Sequence, residues 1–229
     1  YNSNLPSVMD FTLLGALNSA FNEDDGSWDK GMVKLYDNFS NDFLYPNVNN
    51  LLIFAENHDT QRFNHTYNND FQKYKMAMAV ATVRGIPQLY YGSEIGMAGN
   101  KDKGDADIRQ DFPGGWEGDS NNAFSKEGRT SMQNDYFDFT SKLFRWRKNN
   151  SAVHLGKMTH YIPEDNTYVY FRYNEKETVM VIINNSKENK SIKTSRFSEN
   201  IGKYNFGKDV LSDKTIDLTK EISLEPKSV

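Results

Sequence analysis

A dense run of polar side chains follows a short apolar segment in the first quarter of the chain. The apolar segment is Leu51–Phe54, four residues without a polar break, which is typical of a strand buried on both faces. The polar residues that follow it are Glu56, Asn57, His58, Asp59 and Arg62. In α/β barrels the working residues lie at the carboxyl ends of parallel strands, so this pattern predicts an enzyme site. The His-Asp pair alone is weak evidence, because a loop His that is hydrogen-bonded to its neighbours is the common alternative.

Two further carboxylates follow apolar segments in the same way. Asp10 comes after Ser7–Met9, and Glu94 comes after Gln88–Ser93. Each has a structural alternative, because Asp10 could cap the helix that follows it and Glu94 could begin a helical turn. Glu56 could likewise be a structural hydrogen-bonding residue at the end of its strand. The sequence leaves these alternatives open.

A site of this kind needs parallel strands to position it, and the spacing of apolar residues predicts them. The predicted elements are a strand over 8–11, helices over 13–21 and 32–43, a strand over 51–55, a helix over 70–83, a strand over 86–91 and a helix from 135 onward. Asp70 and Asp135 are the predicted caps of the last two helices. The residues 57–69 and 100–134 are predicted to be loops. Strands and helices that alternate in this order predict a right-handed parallel βαβ series.

The pattern changes to period two after Asn149–Ser151. Thr167–Tyr173 and Thr178–Ile183 are predicted strands, joined by a hairpin turn at Asn174–Glu177. Further candidate strands are 157–162, 191–197, 214–218 and 221–224. The sequence therefore predicts two domains, an α/β part over residues 1–151 and an all-β part over residues 152–229, most simply an antiparallel sandwich.

Three segments in order resemble the alpha-amylase family of glycoside hydrolases. Phe54–Asp59 with Arg62 and Phe63 resembles the family's short signature on the seventh barrel strand, and Arg84–Met97 is similar to its eighth-strand segment. The loop Gly104–Trp116 resembles the neopullulanase and cyclomaltodextrinase branch. Together these segments are far more specific than the His-Asp pair.

This resemblance implies that the fold class is α/β. Residues 1–151 would be the last three βα units of a (β/α)8 TIM barrel, and residues 152–229 a C-terminal antiparallel β-sandwich. Barrel closure needs about eight strands, so three cannot close alone. Exposed strand edges pair with other chains, and we therefore expect the chain to self-associate through its barrel edges.

The resemblance also assigns roles to single residues. Asp59 matches the family's transition-state-stabilising carboxylate, and His58 matches the imidazole that binds the same sugar. The other predicted substrate-binding residues are Asn57, Arg62, Arg109, Asp111 and Trp116. For Arg62 the resemblance favours positioning of the Asp59 loop over an exposed loop cation. Trp116 and Phe112 could each stack on a sugar ring or fold under their own loop.

The expected function follows from the same resemblance. Retaining glycoside hydrolysis needs a nucleophile and an acid about 5–5.5 Å apart. The family carries both on its fourth and fifth strands, which have no counterpart here. We therefore expect an alpha-glucan hydrolase (starch, maltodextrin, pullulan or cyclodextrin) of which this chain alone is an inactive C-terminal fragment. The alternative is a non-catalytic amylase-like scaffold, but a scaffold would have no need to retain Asn57–Asp59. A Ser-His-Asp hydrolase is disfavoured because this sequence has no G-x-S-x-G elbow.

Composition bounds the partners. The 229 residues carry a net charge of −4 with both signs interspersed, so we expect neither nucleic acid nor membrane as a partner, and a neutral glucan is compatible. Without Cys there are no disulfides or thiolate metal sites, and the compartment, cytoplasmic or extracytoplasmic, stays open. We expect no cofactor. Asp102, Asp105 and Asp107 could offer oxygen ligands to calcium in an intact enzyme, but their spacing is not that of an EF-hand loop, so a solvated acidic loop is preferred.

Overall fold

The computed structural model describes residues 5–23 and 28–229. In chain order its helices are α1 (Phe11–Asn22), α2 (Val33–Ser40), α3 (Phe63–Thr66), α4 (Phe71–Val83), α5 (Asp105–Ile108), α6 (Ser131–Lys148), α7 (Ser151–Leu155) and α8 (Ser198–Ile201). Its strands are β1 (Leu52–Ile53), β2 (Ile86–Pro87), β3 (Lys157–His160), β4 (Thr167–Tyr173), β5 (Thr178–Asn184), β6 (Lys190–Ile192), β7 (Phe206–Lys208), β8 (Thr215–Asp217) and β9 (Ile222–Leu224). Short 3-10 turns cover Asp42–Leu44, Val48–Asn50, Ser93–Ile95, Lys101–Lys103 and Thr194–Phe197.

Three segments of the N-terminal part run parallel, side by side. β1 pairs with β2, with Leu52 opposite Ile86, and Met9 forms a single parallel bridge to Leu52 on the other side. The sequence predicted all three segments and their parallel direction. Their regular pairing is shorter than predicted, because the hydrogen bonds between neighbours end near Asp10, Ile53 and Gln88. The polar residues of the site follow directly where the β1 pairing ends.

The helices that flank these strands begin at side chains that satisfy free backbone amides. Asp10 Oδ1 accepts from the backbone N–H of Leu13 at 2.9 Å and so caps α1. Asp70 caps α4 as predicted, accepting from the second and third amides of the helix. For α6 the prediction of Asp135 as the cap is wrong. The cap lies five residues earlier, at Thr130, because Thr130 and Gln133 form a capping box.

Asp10 is therefore a structural residue. It is buried, and its second oxygen accepts from Arg84 Nη1 at 2.6 Å. The same guanidinium donates through Nε to Asp42 Oδ2 at 3.0 Å. Of the two alternatives for Asp10, capping and lining a cavity, the structure supports capping. The buried ion pair ties the end of the first strand to the residue after α4.

The C-terminal part is antiparallel, as predicted. β3, β4 and β5 form one sheet in that order, and β6–β9 and β7–β8 form two-stranded sheets. The hairpin between β4 and β5 closes with a hydrogen bond from Asn174 N to Glu177 O of 3.0 Å. The partial barrel and the sandwich remain predictions. Five elements were not predicted from the sequence: α7, α8 and β7, together with α3 and α5, whose residues were predicted to lie in loops.

One large hydrophobic core joins the two parts. It includes Leu17 of α1, Phe39 of α2, Tyr74 of α4, Tyr170 of β4 and Ile183 of β5. A smaller cluster lies on the other face of β4, around Val169, Phe171, Phe197 and Ile201. No helix within the described residues combines the length and the apolar character needed to cross a membrane.

Candidate functional site

The Glu56–Asp59 segment leaves the buried end of β1 and turns outward within four residues. Glu56 and Asn57 are buried, whereas the side chains of His58 and Asp59 are 60% and 62% exposed. Asn57 makes the turn: its Oδ1 accepts from Asp59 N at 2.9 Å, and its own N–H donates to Thr60 Oγ1 at 2.9 Å. This Asx-type turn holds the adjacent His and Asp on the surface above the strand end.

The two oxygens of the Asp59 carboxylate contact different residues: one lies near His58 and the other accepts from Arg109. His58 Nε2 lies 3.3 Å from Asp59 Oδ2. The other oxygen, Oδ1, accepts from Arg109 Nη2 at 2.8 Å. Arg109 Nε also donates to the backbone carbonyl of His58 at 2.9 Å. An imidazole and a carboxylate this close can bind two neighbouring hydroxyl groups of one ligand.

Arg62 follows this pair in the sequence and is 1% exposed. Its Nη1 donates to Glu56 Oε1 at 3.2 Å and to Tyr91 O at 2.7 Å, and its Nε donates to Ile108 O at 2.9 Å. The guanidinium also stands 4.0 Å from the centroid of the Tyr90 ring. This burial rules out the exposed-cation alternative and leaves no open path from Arg62 to a ligand at the surface.

Glu56 is the buried anion that balances Arg62. It also accepts from the backbone N–H of Phe63 and from the hydroxyl of Ser93. Burial raises the pKa of Glu56, against the lowering effect of the hydrogen bonds from Ser93 and Phe63 and of the Arg62 charge. The structural alternative for Glu56 is therefore supported: it joins the end of β1 to the loop after β2.

The long loop contributes the remaining predicted residues at its surface. Trp116 is 69% exposed, and its backbone N–H donates to Asp119 Oδ2 at 3.0 Å. Phe112 packs against Phe124, with ring centroids 4.5 Å apart, as the loop-core alternative expected. Asp111 is exposed. In residues 5–23 and 28–229, no hydrogen bond or ion pair joins Asp111 or Trp116 to His58 or Asp59.

Two of the acidic residues of the loop are engaged with the protein. Asp105 pairs with Lys101 and with Arg109, and Asp107 Oδ2 accepts from the backbone N–H of Asn100 at 2.6 Å. Across the part of the chain that is described, no three His, Cys, Asp or Glu side chains are arranged to hold a metal ion. Glu94 lies in the first turn of the short 3-10 helix after β2, as its structural alternative expected.

Two connections in this site were not predicted from the sequence. They are Arg109 to Asp59 and Arg62 to Ile108, which link residues 50 and 46 positions apart. Neither contact has a periodic signal, because an irregular loop brings the partners together. Only the clustering of charged residues in the two segments pointed toward them.

The parallel strands, the polar residues at their carboxyl end and the antiparallel sheets that follow define an α/β protein with a C-terminal β part. The alpha amylase catalytic domain matches residues 1–186, and the cyclo-malto-dextrinase C-terminal domain matches residues 158–229. The chain belongs to the alpha-amylase family of glycoside hydrolases. Its similarity lies with the branch that contains cyclomaltodextrinases and cyclomaltodextrin glucanotransferases, which confirms the resemblance seen in the sequence.

Relatives of known structure or activity share this fold over most of the chain. A cyclomaltodextrin glucanotransferase of Niallia circulans is 28% identical over 178 residues, which is 78% of this chain and 22% of that protein. CldA, a cyclomaltodextrin glucanotransferase of solved structure, is 26% identical with a TM-score of 0.73, over 96% of this chain and 43% of that one. AmyP in complex with maltose has a TM-score of 0.75 at 20% identity, over 97% and 48%, and so shows the fold alone. The chain thus spans about a fifth of the curated relative and about half of the solved structures.

Proposed function

We propose that this chain forms the sugar-binding part of an alpha-glucan hydrolase that acts by a retaining mechanism. The observation that carries the proposal is the exposed His58-Asp59 pair, held above the carboxyl end of β1 by Asn57 and Arg109. Family membership supports a glucan as the ligand, as do structural neighbours solved with maltose and with acarbose. Candidate substrates are starch, maltodextrin, pullulan and cyclodextrin.

The pair would act by binding the sugar at the bond that is cleaved. Asp59 Oδ2 would accept from one hydroxyl of the ring, and His58 Nε2, which lies 3.3 Å from that oxygen, would bind a neighbouring hydroxyl. An oxocarbenium-like transition state gains positive charge, so the negative carboxylate favours it over the neutral ground state. Asp59 therefore lowers the barrier without forming a bond to the sugar.

Bond cleavage needs two further carboxyl groups in this proposal. A retaining mechanism places them about 5–5.5 Å apart across the scissile bond. Among the described residues, two other carboxylates belong to the contacts around Asp59. Glu56 is buried against Arg62, and Asp105 is paired with Lys101 and Arg109. Neither is free to act as nucleophile or acid beside Asp59. The chain alone is therefore inactive.

Two measurements test this proposal. Calorimetric titration with acarbose should detect binding, and Asp59→Asn should weaken it about tenfold, since a hydrogen bond to a charged group contributes about 1.5–3 kcal/mol. Asp138→Asn removes a comparable exposed carboxylate on α6 and serves as the matched control. Binding that Asp59→Asn leaves unchanged contradicts the sugar-binding role.

The second measurement concerns catalysis. The chain is incubated with starch, pullulan and cyclodextrins, and reducing sugar is measured against an Asp59→Ala control. We expect no release above that control. Steady release that depends on Asp59 would show that the chain contains its own nucleophile and acid.

A further inference from the structure

Arg109 joins three groups of the site through one guanidinium. Its Nε donates to the backbone carbonyl of His58 at 2.9 Å, and its Nη2 donates to Asp59 Oδ1 at 2.8 Å. The same Nη2 lies 3.0 Å from Asp105 Oδ2, one turn earlier on its own short helix. The planar guanidinium has several N–H donors and can bind the backbone carbonyl and the carboxylate of one turn at the same time. A Lys ammonium, with its charge on a single nitrogen, cannot do this.

The backbone that carries Arg109 is itself anchored to the strand end. Ile108, the preceding residue, is buried, and its carbonyl accepts from Arg62 Nε at 2.9 Å. The backbone N–H of Arg62 donates to Gly99 O at 3.2 Å, at the start of the same loop. Arg62 is held in turn by Glu56, which lies three residues after the end of β1. A closed series of contacts therefore runs from the strand end through Arg62 and the loop to Arg109 and back to Asp59.

We infer that Arg109 is a positioning residue that orients the Asp59 carboxylate toward a bound sugar. Arg109 occupies Oδ1, so Oδ2 is the oxygen that faces His58 and remains for the ligand. An exposed Asp side chain otherwise samples several rotamers, and fixing it before binding removes that entropic cost from the binding step. Asp105 Oδ2 lies 3.0 Å from the same Nη2 and is a second anionic partner of the guanidinium. The inference rests on the proposed sugar-binding role of Asp59.

A double-mutant cycle distinguishes positioning from direct contact with the sugar. Acarbose affinity is measured by calorimetry for the wild-type chain, Arg109→Met, Asp59→Asn and the double variant. Arg109→Met should weaken binding about fivefold when Asp59 is present, the upper range for an exposed ion pair. In the Asp59→Asn background the same change should cost less than about twofold, because Arg109 acts through Asp59. Equal losses in both backgrounds, or no loss in either, overturn the inference.

Two further variants control for charge and geometry. Lys103→Met removes one exposed positive charge from the same loop and should leave the affinity unchanged. Arg109→Lys keeps the charge but cannot reach both His58 O and Asp59, so it should behave like Arg109→Met. Restoration of full affinity by Lys would show that charge alone acts, and would overturn the positioning role. Thermal unfolding of each variant confirms that the chain remains folded.

A measurement without ligand separates this inference from the proposed function. The Nε–H resonance of Arg109 in ¹⁵N NMR spectra should exchange slowly with water, because it donates to His58 O. Asp59→Asn should shift that resonance and speed its exchange. If the wild-type chain binds no acarbose while this coupling is present, the proposed function fails and the contact stands. An Nε–H that exchanges at the rate of a free Arg, or that ignores Asp59→Asn, overturns the inference whether or not acarbose binds.

Discussion

At the level of single residues, the buried carboxylate of Glu56 decides how firmly the site is attached to the strand. It is the anionic partner of a guanidinium that is 1% exposed. Removing one member of a buried pair leaves the other charge without compensation, which costs far more than the pair itself contributes. The stability of the chain should therefore be very sensitive to this residue.

Replacement of Glu56 by Ala should lower the free energy of unfolding by about 3–5 kcal/mol. The physical reason is that Arg62 would remain buried with two backbone carbonyls and no anion. Urea denaturation measures the change. Glu117→Ala, at an exposed position of the long loop, is the control and should stay within about 0.5 kcal/mol. Equal effects of the two substitutions would contradict a buried ion pair.

At this site the sequence indicated which residues belong to the site, but it did not indicate which side chains contact each other. The order of the Glu56–Asp59 segment after an apolar strand predicted a site at the end of that strand, and in the structure the side chains of His58 and Asp59 are exposed after β1. Asp10 was left open between a cap and a cavity residue, and only its contacts with Leu13 and Arg84 decide for the cap. Side-chain contacts between distant segments depend on loop paths that residue types do not encode.

Element boundaries follow from capping side chains, and α6 tests this most clearly. Its apolar face begins at Tyr136, which led the sequence analysis to Asp135 as the cap. The structure begins the helix at Ser131, where Thr130 Oγ1 accepts from Gln133 N at 3.2 Å and Gln133 Oε1 accepts from Thr130 N at 2.9 Å. The capping-box spacing of Thr130 and Gln133 was a signal in the sequence that could have corrected the boundary.

Thr130→Ala should therefore destabilise the chain by about 1 kcal/mol, since it removes the cap of the longest helix described. Asp135→Ala, the matched substitution at the rejected cap, should change stability by less than about 0.5 kcal/mol. Both changes in stability are to be measured by chemical denaturation monitored by circular dichroism. A larger loss for Asp135→Ala would restore the original boundary.

The contact between β3 and α2 contains a titratable ring. His160 lies 4.7 Å from the Tyr36 ring, and its Nδ1 is 3.0 Å from Tyr168 Oη. Burial lowers the pKa of His160 below its usual value near 6.5, partly offset by the charge of Asp42. The neutral imidazole is therefore the form that fits between the C-terminal sheet and the helix.

Because of His160, the free energy of unfolding should decrease as the pH is lowered. Below about pH 6.5 the unfolded chain binds a proton at this position while the folded chain does not, so the free energy of unfolding decreases until the folded pKa is passed. His160→Phe keeps a ring but cannot titrate, and it should flatten the decrease in stability that begins below about pH 6.5. An unchanged slope in His160→Phe would assign this decrease to another group.

At the scale of the whole molecule, the parallel segments present unpaired edges. β2 has β1 on one side, and the Met9 segment has β1 on the other, so each outer edge lacks a strand partner within the described residues. Large apolar side chains near these edges are exposed: Met9, Phe11, Ile86 and Leu89. Open parallel edges with exposed apolar side chains associate with other chains.

We therefore expect concentration-dependent self-association in sedimentation velocity experiments. Ile86→Lys places a charge on one edge and should shift the distribution toward monomer. Leu155→Lys changes an apolar side chain on α7 that is even more exposed (79% against 48% for Ile86), and should leave the distribution unchanged. A single monomeric species for the wild-type chain at tens of micromolar would contradict edge pairing.

The overall architecture was predictable for a physical reason. Buried parallel strands have continuous apolar runs, whereas antiparallel strands with one solvated face alternate apolar and polar residues. The patterns of Leu51–Phe54 and Thr167–Tyr173 therefore predict strands of these two kinds. The short elements α7 and β7 have too few residues for any period to be visible. Closure of a barrel cannot be deduced from three strands, because tilt and shear are properties of the complete set.

The most direct test of the central claim is to map where a glucan binds on this chain. Backbone amide resonances are followed by ¹⁵N NMR during titration with acarbose. The account predicts that the largest shifts lie at Asn57–Thr60 and at Arg109, the turn that presents Asp59 and the residue that holds it. Shifts confined to the groove between α6 and the β7–β8 hairpin, around Trp146 and Lys208, with none at Asp59, would contradict it.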